Sequence, residues 1–129
     1  MAALQHQPYM KHVEFTSHLF QMRTDVHIAH LQTKLYSAHK ALDDLYSGIL
    51  DIADRYAEAS QGLTSSILTG YTSSPPFEGE ILPHIKASLE KIYAHRASLD
   101  PQKEGFLIQI IDDLIELYSS SIYKLTFLK

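Results

Sequence analysis

"GLTSSILTGYTSSPPFEGE", residues 62–80, is the stretch on which the reading of the fold turns. Its serines, threonines, glycines and adjacent prolines mark a connection rather than a regular element. A connection of this length inside a small domain demands a reason. On its N-terminal side, residues 37–61 read as a helix opened by Ser37 as N-cap and stopped by Gly62, with Leu42, Leu45, Tyr46, Ile49, Ile52, Ala53 and Tyr56 as its apolar stripe. A preceding helix over about residues 9–31 carries Met10, Val13, Leu19, Phe20, Val26 and Ala29 at three- and four-residue steps. Beyond the connection, residues 81–98 form a third helix. A tight turn at "LDPQ" then places Asp100 at an N-cap and Pro101 at the first position of a fourth helix, 101–127, with Phe106, Ile110, Ile111, Leu114, Leu117, Tyr118, Ile122 and Leu125 on its apolar side.

Geometry gives the long connection its purpose. A helix of about 26 residues is about 39 Å long, and extended chain covers about 3.3 Å per residue. The loop can therefore run the full length of the second helix and let the third lie parallel to it. Short, long and short connections between four helices predict an all-α, ferritin-like four-helix bundle with one crossover between helices 2 and 3, occupying residues 1–129 as one domain. An up-and-down bundle would not need the long loop.

Composition narrows the chemistry. The 129 residues contain no cysteine, so disulfides and thiolate metal sites are excluded and any metal must be held by imidazole and carboxylate. A formal net charge of −4, with eleven Lys plus Arg dispersed along the chain, argues against nucleic-acid binding. No apolar run approaches the roughly 20 residues that span a bilayer, and the first residues do not form a secretory signal. The expectation is a cytoplasmic protein without membrane contact.

Eight histidines are many for this length, and their spacing matters more than their number. With about 100° per residue and His39 set to zero, Asp43 falls near 40°, Asp54 near 60° and Glu58 near 100°. All four share one face of the second helix, beside its apolar stripe. The His39–Asp43 and Asp54–Glu58 pairs are nevertheless about 22 Å apart along the axis, so one copy of the helix cannot bring both pairs to one metal. Two copies packed antiparallel about a two-fold axis near residues 48 and 49 would do so twice. His27 and His30, one turn apart at the end of the first helix, each offer a further nitrogen. Imidazole with carboxylate suits iron, with zinc and manganese as competitors. The competing structural reading is a solvated helix face with interface histidines.

The five positions His27, His39, Asp43, Asp54 and Glu58 reproduce the spacing of a motif in the Dps-like branch of the ferritin superfamily, the mini-ferritins, which this chain resembles over most of its length. In that family the histidines and first aspartate come from one subunit, and the later aspartate and glutamate from its partner. The resemblance therefore implies an inter-subunit ferroxidase centre that oxidises Fe(II) and protects against oxidative damage, in a homodimer built on antiparallel second helices or in a larger shell. "HLQTKLYSAHKAL", residues 30–42, is also similar to a compact "HWQTK" turn in small Dps-like proteins of phage and bacterial genomes, with Leu31 in the place of tryptophan. That longer local pattern favours His30 as the first ligand, with His27 as the alternative. The catalytic set is then His30, His39, Asp43, Asp54 and Glu58.

No Glu-x-x-His is present, so a dimetal site inside one bundle is disfavoured. No lysine-rich tail for DNA is visible either. Tyr36, Tyr46 and Tyr56 could donate electrons near such a site, but aromatics at helical spacing are more often core and receive no functional assignment. The alternative function is a non-catalytic helical structural or interaction protein, phage-encoded or virion-associated, that retains the bundle.

Overall fold

A computed structural model describes residues 2–129, with side chains from residue 9 onward. Among the described residues there are four helices and no strand: α1 (Ala2–Gln32), α2 (Tyr36–Thr64), α3 (Ile81–Ala97) and α4 (Gly105–Phe127). The helices α1 and α4 each pack against α2 and α3. Among the described residues, no helix is long and apolar enough to cross a membrane.

Cross-helix contacts give the directions. Residues 33–35 link α1 to α2, so the two run antiparallel. Pairing of Asp44 with Lys124 and of Arg55 with Asp113 makes α2 and α4 antiparallel, and both pairs are too exposed to stabilise much. Contacts of His18 with Ser88 and of Asp25 with His84 run α3 antiparallel to α1. It follows that α2 and α3 are parallel, and residues 65–80 carry the chain from one end of the molecule to the other.

That crossover has no secondary structure to satisfy its amides; Gln61 Oε1 on α2 accepts from Leu68 N (2.9 Å), and α1 supplies partners for three more. Ser17 Oγ accepts from Thr72 N (3.0 Å), Gln21 Oε1 from Ser74 N (2.8 Å) and Asp25 Oδ1 from Phe77 N (3.0 Å). The three acceptors are spaced by four residues, so they form one ridge along α1. Asp25 is 4% exposed, and it also accepts from Gln21 Nε2 and from His84 Nε2 on α3.

The core follows the expected stripes closely in α2, where Leu42, Leu45, Ile49, Ile52, Ala53 and Tyr56 are buried and Tyr46 is half-buried. In α4, Ile110, Ile111, Leu114 and Tyr118 are buried, whereas Phe106 is 46% exposed. Phe15 and Met22 complete the α1 side. Gly48 permits close approach of α2 and α4, since a Cβ there would lie 2.6 Å from Leu117 Cδ2.

Helix ends depart from the sequence expectations for local reasons. The first helix begins at Ala2 rather than near residue 9. In α2 the N-cap is Leu35, in extended conformation, and not Ser37, which lies inside the first turn. Gly62 remains helical, and Ser65 takes the left-handed stop at φ 53°, its N–H bonded to the Gln61 and Gly62 carbonyls. Asp100 does cap amides, accepting from Gln102 N and Lys103 N, but in a separate turn. Glu104 then turns inward, and α4 starts at Gly105 rather than at 101.

Replacing Asp25 with Ala removes acceptors from the Phe77 amide and from His84 while leaving helix packing intact. We expect a loss of stability of about 1–3 kcal/mol, and amide exchange at Phe77 that speeds up far more than exchange in α4. Equal change at both places would show that Asp25 does not pin the crossover.

Candidate functional site

The corner between α1 and α2 brings two of the expected ligands, His30 and His39, together. His30 Nδ1 lies 2.7 Å from the carbonyl oxygen of His39, and His39 Nδ1 lies 2.8 Å from the carbonyl oxygen of His30. A carbonyl oxygen can only accept, so each Nδ1 carries a hydrogen and donates it. In a neutral ring this leaves the Nε2 lone pair free. The two imidazoles stack with centroids 3.8 Å apart and planes 19° apart. His30 is 8% exposed, and its ring orientation is fixed by the backbone on both sides of the turn.

His27 is placed otherwise. Its ring lies flat on Tyr46, at 4.0 Å and 6°, with its centroid 6.0 Å from that of His30. Pairing with His39 is thus made by His30. Asp43 is half-buried one turn beyond His39. Desolvation and then the Asp43 carboxylate push the Tyr46 hydroxyl above its ordinary pKa. The Arg23 guanidinium stands 5.9 Å from the centroid of the same Tyr46 ring.

Asp54 and Glu58 are exposed on α2, displaced along the axis as the helix rise dictates. Among the described residues, no group of three or more His, Asp or Glu suited to a metal comes together within one chain. The corner therefore presents two oriented imidazoles, with Asp43 one turn further along α2, and the far end of the same helix face carries Asp54 and Glu58.

A second polar cluster lies at the opposite end of the molecule and was not singled out from sequence. His12 Nε2 bonds Glu104 Oε2 (3.1 Å), His12 Nδ1 bonds the Tyr56 hydroxyl (2.8 Å), and that hydroxyl also bonds His95 Nε2 (2.6 Å). Glu104 Oε1 accepts from Lys11 Nζ (3.1 Å) and Asp100 N (2.9 Å). His12 and Tyr56 are 2% and 0% exposed. The cluster joins α1, α2, α3 and the N-cap residue of α4, across sequence separations of 39 to 92 residues. Tyr56 looked like core because it is core. The only local signal was His12, one position before Val13 of the apolar stripe.

A third chain of polar groups links His18 Nε2 to Ser88 Oγ (2.8 Å) and Ser88 Oγ to the Tyr118 hydroxyl (2.8 Å). Burial pulls His18 down to about 4, assisted by Lys91, and pulls His95 down to about 4, assisted by His12. Burial also lowers His12, opposed by Glu104. The Tyr56 hydroxyl is raised well above its ordinary value, by burial first and Glu104 second.

Residues 30–125 match the model of a protein family described as "Family of unknown function (DUF5856)". The chain belongs to this family. The match begins at His30 and includes His39, Asp43, Asp54 and Glu58, while His12 and His27 lie before it. The chain is also similar to the "Uncharacterized 14.6 kDa protein in mobD-ri intergenic region" of Enterobacteria phage T4, with 26% identity over 113 residues covering 88% of this chain and 86% of that protein. No solved structure matches.

The lowered histidines carry a pH dependence whose sign is definite. His18 and His95 titrate near 6.5 when unfolded and at about 4 when folded, so between these values the unfolded chain binds more protons. Their contribution is complete above pH 6.5 and is lost as the pH falls toward 4, at up to about 1.4 kcal/mol per pH unit for each group. Urea midpoints should therefore fall from pH 7 to pH 5, and less steeply in His95→Gln. A midpoint that does not change over this range would contradict the partial burial of both rings.

Proposed function

We propose that this protein is a ferritin-like, Dps-type iron-oxidising protein whose metal site is completed by a second copy of the chain. The observation that carries the reading is the reciprocal lock between His30 and His39. Imidazoles that donate Nδ1–H to fixed carbonyls are pre-oriented to offer Nε2 to a metal, the arrangement found around metal-ligating histidines generally. The course of the chain agrees with it. Two antiparallel helix pairs joined by a long crossover, with α2 parallel to α3, is the connectivity of the ferritin-like bundle.

The exposed face of α2 explains why two copies are required. Asp43, Asp51, Asp54 and Glu58 lie on it, with the partly exposed Leu50 near its middle. Packed against itself without a cation, this face would set carboxylates against carboxylates. Packed antiparallel with metal, each His30–His39–Asp43 group meets Asp54 and Glu58 of the other copy. Fe(II) is the substrate in this reading. Neutral imidazoles bind it, and the carboxylates stabilise the added positive charge of Fe(III) and can bridge two ions. With peroxide as oxidant, two Fe(II) give up one electron each and one peroxide takes up two protons to become two waters. Zinc and manganese would compete for the same donors.

A second reading rests on a different observation. Leu31, Leu35 and Tyr36 at the α1–α2 turn are 69%, 52% and 75% exposed, and Tyr123 and Phe127 at the end of α4 are 55% and 72% exposed. Apolar groups at one end of the molecule fit a helical interaction protein of phage origin, for which the T4 relative provides support.

Molar mass and bound metal measured on the same sample separate the two. Iron should convert a smaller species into a dimer or larger assembly, and chelation should reverse it. Asp54→Ala with Glu58→Ala should weaken metal binding by more than about tenfold and abolish both metal-induced assembly and Fe(II) oxidation. Unchanged iron oxidation in that variant, or a metal-free monomer after iron loading, would overturn the proposal.

A further inference from the structure

The Glu104–His12–Tyr56–His95 cluster carries an inference of its own. A phenol has one hydrogen, so the direction of this chain is determined by its ends. Glu104, held as a carboxylate by Lys11 and the Asp100 amide, accepts from His12 Nε2–H. In neutral His12 the remaining nitrogen, Nδ1, is then an acceptor, and the Tyr56 hydroxyl donates to it across 2.8 Å. His95 Nε2–H in turn donates to the phenol oxygen across 2.6 Å. Every donor in the chain points toward Glu104.

A buried tyrosine needs only one partner to be satisfied. Here it has two imidazoles, one of them backed by a carboxylate, and burying such groups is costly unless each is fully bonded. What the arrangement adds is a fixed proton acceptor for the phenol, a counter-charge for the cation formed on accepting, and exclusion of water from both. We propose that Tyr56 is a redox-active tyrosine, which yields one electron to a one-electron oxidant as its phenolic proton passes to His12 Nδ1.

The step balances within the cluster. The O–H bond of Tyr56 breaks, one electron leaves to the oxidant, and the proton forms an N–H bond on His12. The products are a neutral phenoxyl radical and an imidazolium that keeps its Nε2–H bond to the Glu104 carboxylate. His95 continues to donate to the radical oxygen. With 0% exposure, the radical ring is shielded from coupling with another ring.

An electron path outward exists through aromatic contacts. Phe15 lies 5.0 Å from Tyr56 and stacks on His95 at 4.0 Å and 9°, and Phe15 and His95 line a cleft open to solvent. Under the dimeric metal reading, Asp54 and Glu58 lie on the other side of the same helix, about 10 Å across, which would place an iron-derived oxidant within reach. The relay itself does not depend on that reading.

The test uses metal-free protein and photogenerated tris(bipyridine)ruthenium(III), so its failure is distinct from failure of the metal site. Wild-type protein should show a neutral tyrosyl signal, optically and by electron paramagnetic resonance, that persists after the radicals of exposed tyrosines have decayed and that forms more slowly in D2O. Tyr56→Phe should lose the persistent signal, and Tyr118→Phe should keep it. His12→Phe should lose it or slow its formation severalfold. Glu104→Gln, which keeps the shape of the side chain, should shorten its lifetime and carries the test if His12→Phe does not fold. A persistent radical in Tyr56→Phe, or one that His12→Phe and Glu104→Gln leave unchanged, would overturn the proposal.

Discussion

The acceptor ridge of Ser17, Gln21 and Asp25 on α1 is the constraint from which the rest of the structure follows. Parallel α2 and α3 require a chain segment that travels the length of the molecule, and such a segment carries backbone amides that must find partners. The ridge supplies them at Thr72, Ser74 and Phe77. Because the crossover lies over α1, the polar face of α2 remains uncovered by its own chain. The candidate site on α2 is thus a consequence of where the loop is fastened. Asp25 joins the two halves again by binding His84, whose ring stacks on Phe77 at 3.7 Å and 3°, so loop, α1 and α3 meet at a single carboxylate.

How much of this could be read in the sequence depends on the range of the interaction concerned. Leu42 to Tyr56 were legible because a 3.6-residue period is a local property, and the crossover was legible because prolines, glycines and serines punctuate it. Phe106 was assigned to the core and is exposed, at the second position of a helix that starts four residues later than Asp100 and Pro101 suggested. The displaced start has a tertiary cause: Glu104 bonds Lys11 and His12, and those residues are more than 90 positions away. The α2 start behaves similarly. Ser37 has the chemistry of an N-cap, yet the reciprocal bonds between His30 and His39 fix the corner two residues earlier.

The polar face of α2 was legible for the same reason as the core stripe, since His39, Asp43, Asp54 and Glu58 are related by helical angle alone. Between His27 and His30 the longer local pattern favoured His30, and packing sets the two residues apart although they lie one turn apart on α1. Tyr46 takes the His27 ring and leaves His30 for His39. The buried cluster around Tyr56 was invisible for a further reason. Its members come from four separate segments, and each one alone reads as ordinary: a tyrosine in a stripe, a histidine near a helix end, a glutamate after a turn.

These two ends of the molecule show what decides the chemistry of a histidine. His30 and His12 are both buried, at 8% and 2% exposure, and both sit on α1 among apolar neighbours. His30 commits one ring nitrogen to a carbonyl that cannot give a proton back, which leaves the other nitrogen with a lone pair and no hydrogen-bond partner among the described residues. His12 commits both nitrogens, one to a carboxylate and one to a phenol, so it has nothing to offer an external ligand but can accept a proton from one side while remaining paired on the other. Burial alone would assign the two residues the same role. Their hydrogen-bond partners separate them, making the first a candidate ligand and the second a candidate relay, and they do so whichever metal or oxidant the protein meets.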